Sequence, residues 1–167
     1  MAELDENSIN QELLDFREGF KTVLLSTASR SADPECSYAP FVLEDGAFYI
    51  YVSMLASHTR NLLENPQCSV LFIEDESASK NIFARRRLGY RCSVTVIARD
   101  NSQWNELMDQ FTDRFGKTVD VLRGLADFHL ICLRPESGQF VKGFSQAFAL
   151  TGEAMDRIEH INPAASD

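Results

Sequence analysis

Between Thr22 and Leu150 the sequence alternates repeatedly between short runs of β-branched and aromatic residues and brief groups of turn formers. This rhythm constrains the fold more than any other feature. Thr22 to Thr27 is a short apolar run, followed by the polar segment Ser29 to Pro34, a second run from Cys36 to Leu43, and the hairpin signal Asp45-Gly46 before Ala47 to Ser53. Three antiparallel strands in a meander are predicted. Cys68 to Ile73 and Leu88 to Arg99 add two more, the latter alternating Cys92, Val94, Val96 and Ala98 with Ser93, Thr95 and Ile97. Phe128 to Leu133, Gln139 to Phe144 and Ala147 to Leu150 follow, with Pro135 to Gly138 predicted as a turn between the first two.

Helices are few. Ile9, Leu13, Leu14, Phe16 and Phe20 recur at helical spacing, which predicts a helix over about 8–20, with Ser8-x-x-Gln11 as capping box. Ser57 is the expected N-cap of a short helix, His58 to Asn65, closed by Pro66. Ser102 is expected to cap a helix with Trp104, Leu107, Met108, Phe111 and Phe115 on its apolar side, followed by a shorter one from Thr118 to Leu125. A last helical turn is predicted over Gly152 to Ile158, at the start of a tail spanning 152–167. Predominant strands joined by short connections favour a closed or nearly closed antiparallel barrel, mainly β with flanking helices, over a doubly wound parallel sheet. With 167 residues and no repeat or linker, a single domain over 1–167 is expected.

The charge balance narrows the partners. Sixteen Lys and Arg against 25 Asp and Glu give a formal net charge of -9, so the averaged field repels nucleic acid and anionic lipid. The apolar runs are far shorter than the roughly 20 residues of a spanning helix, and the acidic N-terminus lacks the features of a signal peptide, so a cytoplasmic location is expected. Cys36, Cys68, Cys92 and Cys132 are widely separated and stand in strand-like runs, as structural thiols commonly do. His58, His129 and His160 are too scattered for a metal triad, and no metal site is predicted.

Two local features carry possible chemistry. Phe83-Ala-Arg85-Arg86-Arg87-Leu88, flanked by Lys80 and Arg91, is a basic island in an acidic chain. If the segment is extended, Arg85 and Arg87 share a face and can grip a phosphate or carboxylate. The plainer reading pairs these arginines with Glu74, Asp75 and Glu76, and periodicity does not choose between the two. The second feature is the strand end at Ser53 leading to Ser57-His58-Thr59 at a helix start, where unpaired N–H groups and hydroxyls suit a phosphate. The plainer reading there is an ordinary capped helix. Asp127 opens a strand, by default as a cap or turn acid. No nucleophile elbow, P-loop or zinc-protease motif is present, so catalytic residues are not identified, and an enzyme built this way needs a cofactor.

Thr22-Val-Leu-Leu-Ser-Thr27, Ser37-Tyr-Ala-Pro-Phe41, Val52-Ser53, His58-Thr-Arg-Asn-Leu62, Asn65-Pro66, Glu74-Asp-Glu76, Phe83-Ala-Arg85, Arg87-Leu88, Asp127-Phe128 and Phe140-Val-Lys-Gly-Phe144 follow one another in an order and spacing that carry a resemblance. Together they resemble the haem-utilisation branch of the pyridoxamine 5'-phosphate oxidase-like split-barrel flavoproteins. The resemblance implies a six-stranded split β-barrel and a homodimer with cofactor sites at its interface. In flavin-binding relatives a Ser-Arg-Lys stretch holds the FMN phosphate; the matching positions here are Ser57, His58 and Thr59. Arg87, with Arg85, would supply charge, and Ser53 would lie beside the ribityl chain. In haem-utilising relatives the iron ligand is a tail histidine assisted by an Asp. Asp127 stands at the position of that Asp, and His160, which matches an earlier histidine of the tail and not the ligand position itself, is the candidate for the alternative haem reading.

The leading expectation is therefore an FMN-binding flavoprotein, an oxidoreductase acting on a small molecule. Haem binding and breakdown is the alternative, and a non-catalytic dimeric binding module is a second. Pyridoxamine phosphate oxidation itself is disfavoured, because the only tryptophan, Trp104, lies on a helix instead of where a pyridoxal ring would be clamped.

Overall fold

The computed structural model describes residues 5–161. Strands β1 (Thr22–Ala28), β2 (Pro34–Glu44) and β3 (Ala47–Ser53) form the expected meander, with Asp45 and Gly46 both at positive φ in the hairpin turn. β1 also pairs with β4 (Gln67–Ile73), β4 with β5 (Arg87–Ile97), and β5 with β6 (Phe128–Gly143). β3 then pairs with the first half of β6, Phe48 opposite Leu133 through Ser53 opposite Phe128. That last pairing closes the antiparallel barrel at six strands, as expected. β7 (Gln146–Thr151) and β8 (Arg157–His160) extend the sheet from the second half of β6.

Period-2 alternation fills the barrel. Val23 and Leu25, Phe41, Phe48 and Ile50, Val70 and Phe72, Leu88 and Tyr90, and Ile131 and Leu133 point inward as one buried cluster, joined by Ile9 and Leu13 of α1 (Glu6–Glu18). Phe41, Phe48 and Phe72 stand with ring centroids 5.5–5.6 Å apart, a spacing at which aromatic pairs add roughly 0.5–1.5 kcal/mol each beyond area burial. β3 is buried on both faces. Its outer side, Ala47, Tyr49 and Tyr51, lies under Trp104, Leu107, Met108 and Phe111 of α3 (Trp104–Phe115), and Val119 of α4 (Thr118–Arg123) completes that layer. α2 (Ser57–Glu64) packs on β1 and β2.

Several local expectations need correction. The Pro135–Gly138 turn does not form, because β6 runs through it as one 16-residue strand. Pro135 stands where β6 changes its second neighbour from β3 to β7, so its missing N–H interrupts no ladder on that edge, and the β5–β6 register shifts beside it. Gly138 is needed because the Tyr90 ring crosses it. A Cβ there would stand 2.7 Å from Tyr90 Cδ1 and 3.1 Å from Leu150 Cδ1. The predicted helical turn at Gly152–Ile158 is instead a turn leading into β8. The caps also shift: Asp5, not Ser8, caps α1; Ala56 occupies the N-cap position of α2; and the segment entering α3 is held by Asn101 Oδ1 accepting from Gln103 N, not by Ser102. Cys68, Cys92 and Cys132 are buried, but Cys36 is exposed on the outer face of β2.

Gly138→Ala is expected to destabilise the protein by about 1–3 kcal/mol through overpacking. The loss is to be read as a lower urea midpoint at an unchanged slope.

Candidate functional site

Barrel closure brings two chain segments together at one end. Ser53, the last residue of β3, faces Phe128, the first of β6, so Asp127 arrives beside it. The Ser53 hydroxyl donates to Asp127 Oδ2 at 2.6 Å, Met54 N donates to the Asp127 carbonyl at 2.9 Å, and Leu55 N donates to Ser53 Oγ at 3.1 Å. Fully buried Thr59 donates its hydroxyl to the Ser53 carbonyl at 2.6 Å, which ties α2 to the strand end. Ser53, Thr59 and Asp127 are thus joined by hydrogen bonds, with Ser57 and His58 on the helix start beside them.

Glu35 governs the start of α2, and sequence reasoning missed it. Its carboxylate accepts from the Ser57 hydroxyl and, at 3.0 Å, from Asn61 Nδ2, which also donates to Thr27 Oγ1 at 3.0 Å. The available signal was period 2: Glu35 falls on the same strand face as Ala39 and Phe41, an unusual place for an acid. Because this carboxylate already holds the Ser57 hydroxyl, a phosphate at the same helix start would meet its negative charge. The residues present therefore fit an FMN phosphate poorly. His58 is half-buried, and its buried Nε2 has no hydrogen-bond partner among the described residues. Desolvation pushes its imidazole below the ordinary value, with Glu35 pulling the other way.

Arg85 and Arg87 do not join this group. Arg87 opens β5 opposite Ile73 and Val141, whereas Ile97, at the far end of β5, faces Leu130 near Asp127. The arginines therefore lie at the opposite end of the barrel. Arg85 donates to the Glu74 carbonyl at 2.5 and 3.2 Å and pairs with Glu76 at 3.3 Å, so the plainer reading holds for that residue. Arg86 lies over the Phe16 ring at 4.9 Å and pairs with Glu12, which also holds Lys142. Arg87 reaches only the Arg85 carbonyl, at 3.3 Å, and has no acidic partner among the described residues.

At this end an open cleft of about 410 Å³ is lined by Lys80, Arg86, Lys142 and Phe144, and an adjoining one of about 240 Å³ by Arg87, Phe83 and Phe144. Phe83 and Phe144 are 88% and 71% exposed, so cations and bare aromatic faces occur together. His160, on β8 and not in an irregular tail, lies beside this region. Its Nε2 is 2.9 Å from the Ser145 carbonyl, and its ring packs edge-on against Phe148 at 5.4 Å. Residues 162–167 of the predicted tail lie outside the described residues.

The outer face of the barrel carries a third feature. Tyr38 on β2, Leu24 on β1 and Leu71 on β4 are successive cross-strand neighbours, with Tyr38 and Leu24 exposed. The cysteines offer little chemistry by comparison. Hydrogen bonding with Cys68 and burial push the Cys92 thiol upward, away from the reactive thiolate.

A six-stranded barrel of this topology with flanking helices defines a split-barrel protein. The chain belongs to the pyridoxamine 5'-phosphate oxidase family, whose model matches residues 9–142, and within it to the haem-utilisation branch. It is 38% identical over 156 residues to the haem oxygenase HutZ of Vibrio cholerae, covering 93% of this chain and 89% of that protein. A crystal structure of V. cholerae HutZ, described as a haem storage protein, is 42% identical with a TM-score of 0.75, covering 80% of this chain and 94% of that one. Campylobacter jejuni ChuZ is 32% identical with a TM-score of 0.85, covering 96% and 67%. No helix among the described residues is long and apolar enough to cross a membrane.

The lowered His58 value has a stability consequence. A base whose folded pKa lies below its unfolded value of about 6.5 leaves stability intact above that pH and removes it as pH falls toward the folded value. Thermal unfolding should therefore move to lower temperature between pH 7.5 and 5.5, and His58→Phe should flatten that slope. An equally steep slope in the variant would refute the assignment.

Proposed function

We propose that this protein binds haem between two copies of the chain and supports its oxidative breakdown, in preference to serving as an FMN oxidoreductase. The observation that carries this reading is the pairing of cations with bare aromatic faces at the Arg87 end. Haem presents a broad apolar ring and two carboxylates, and the cleft offers Phe83 and Phe144 for the first and Lys80 and Arg87 for the second. The names of the relatives, a haem oxygenase and a haem storage protein, support the same ligand class. FMN would instead need its phosphate at Ser57, His58 and Thr59, where Glu35 stands.

In this reading the homodimer is a requirement. Asp127 and His160 lie toward opposite ends of one barrel, so a single ligand can meet both only if they come from different copies. The Tyr38–Leu24–Leu71 face is the apolar surface available for the second copy. Bound haem brings its own redox-active iron, and the protein's part is to bind, orient and handle protons. Asp127 would hold a proton or hydrogen bond near the iron through the carboxylate oxygen not used by Ser53. His160 would hold the iron through its Nε2, which in this structure lies against the Ser145 carbonyl. Breakdown also draws on molecular oxygen and an external electron donor.

Titration with hemin should produce a Soret shift that His160→Ala abolishes; an unchanged difference spectrum in that variant would remove His160 as ligand. With ascorbate as electron donor, Asp127→Asn should retain haem yet lose the Soret band about 10–100-fold more slowly, the range typical of lost outer-sphere partners. Stoichiometric FMN uptake without hemin uptake would restore the flavin reading, and uptake of neither would favour the non-catalytic module. Leu24→Glu should convert a dimer to a monomer in analytical ultracentrifugation and weaken hemin binding with it.

A further inference from the structure

Arg99 lies two residues beyond β5, yet its hydrogen bonds go to the segment that leads into Asp127. Its Nη1 donates to the Arg123 carbonyl at 2.9 Å, and its Nη2 donates to the Leu125 carbonyl at 2.5 Å and to the Tyr51 hydroxyl at 3.3 Å. Tyr51 in turn donates to the Leu122 carbonyl at 3.2 Å. These are the last carbonyls of α4 and its exit, which a helix end leaves without intrahelical partners. The guanidinium lies over the Trp104 ring at 5.2 Å, and that of Arg123 lies over the same ring at 5.1 Å. Arg123 is held by Asp109 at 2.6 Å and Asn105 at 2.7 Å.

The exit from α4 is therefore pinned from α3, β3 and the end of β5 at once. Two residues further on, Asp127 is fixed from the other side by Ser53 and Met54. Its Oδ2 accepts from Ser53, while no donor among the described residues reaches Oδ1. An oxygen left free in this way is useful only if the backbone carrying it does not move.

We infer that Arg99 is a positioning residue for Asp127: by fastening the carbonyls of Arg123 and Leu125, it sets the direction of the free Asp127 oxygen in the haem site. The inference rests on the haem reading for its consequence and on the geometry of this chain alone for its mechanism. A lysine cannot reproduce it. An ammonium is a point donor that cannot span three acceptors while lying flat on an indole.

The test separates mechanism from consequence. In the protein without added haem, Arg99→Gln should speed amide hydrogen exchange across 122–128 about tenfold or more while α3 keeps its protection. Arg99→Lys should give a smaller effect in the same peptide and serves as the reporter if the Gln variant does not fold. With hemin, Arg99→Gln should reproduce the spectral change and slowed breakdown of Asp127→Asn, and the double variant should be no slower than either single one, because the two residues act as one unit. Unchanged exchange at 122–128 would overturn the pin whatever the protein does with haem. Faster exchange with a wild-type spectrum and rate, or slowing that multiplies with Asp127→Asn, would overturn the positioning role. Absence of hemin uptake by the wild-type protein would overturn the haem reading and that role together, while the exchange result would still report the pin.

Discussion

The pairing of β3 with β6 is the interaction on which the rest of this molecule depends. β3 makes one ladder with β2 and a second with β6, and both of its faces are buried, the inner one against the barrel aromatics and the outer one under α3. Without the second ladder the strand would be an exposed apolar edge, prone to pairing with other chains. With it the barrel has no edge at β3, and three consequences follow from the same register. Ser53 meets Phe128, so Asp127 is delivered to a hydroxyl. Tyr51 comes beneath Arg99 and the exit of α4. The chain leaving β3 must turn into α2 across the barrel end, where Glu35, Thr27 and Asn61 complete a polar network over an otherwise apolar interior.

Charge is distributed according to the same architecture. The chain carries a net charge of -9, yet Arg85, Arg86 and Arg87, with Lys80, stand at the end of the barrel away from Asp127. Part of that island is neutralised: Glu12 of α1 meets both Arg86 and Lys142, and Glu74 and Glu76 occupy Arg85. These are largely surface contacts, each contributing little to stability, so their main effect is on direction. They hold guanidiniums against the barrel, whereas Arg87 and Lys80 have no acidic partner among the described residues. An acidic surface with a basic cleft at one end would favour a small dianion over a polyanion.

Local pattern and long-range pairing differ in how far they can be read from the chain. The meander from Thr22 to Ser53, the strand at Cys68–Ile73, the apolar face of α3 and the barrel class all follow from alternation and turn chemistry. Where the reading failed, a tertiary contact outweighed a local preference. Pro135-Glu-Ser-Gly138 has turn composition, but Pro135 falls in the gap between two neighbouring strands and Gly138 is the space that Tyr90 occupies, so β6 continues through it. Ser8, Ser57 and Ser102 each have cap chemistry, yet Asp5 caps α1, Asn101 holds the segment entering α3, and the Ser57 hydroxyl is taken by Glu35. Ser53, Ser57, Thr59 and Asp127 were identifiable as individual polar residues at element ends. That they meet depends on barrel closure, which no local window contains.

The division of the candidate residues between the two barrel ends bears directly on how the protein works. Within one copy, the ladder from Arg87–Val141 to Ile97–Leu130 separates the basic cleft from Asp127 by the length of β5, ten residue steps at about 3.3 Å each. Haem is shorter than that separation, so no single copy can offer its cations and Asp127 to one molecule. The exposed Tyr38–Leu24–Leu71 face lies on strands that run between the two ends, and in the proposed dimer a second copy docked antiparallel against it would bring the basic end of one barrel beside the Asp127 end of the other. Such an interface would be isologous, so one patch of surface would generate two equivalent sites. In the proposed haem-binding dimer, a change on that face would alter ligand binding without touching a ligand contact, because the proposed site spans both copies.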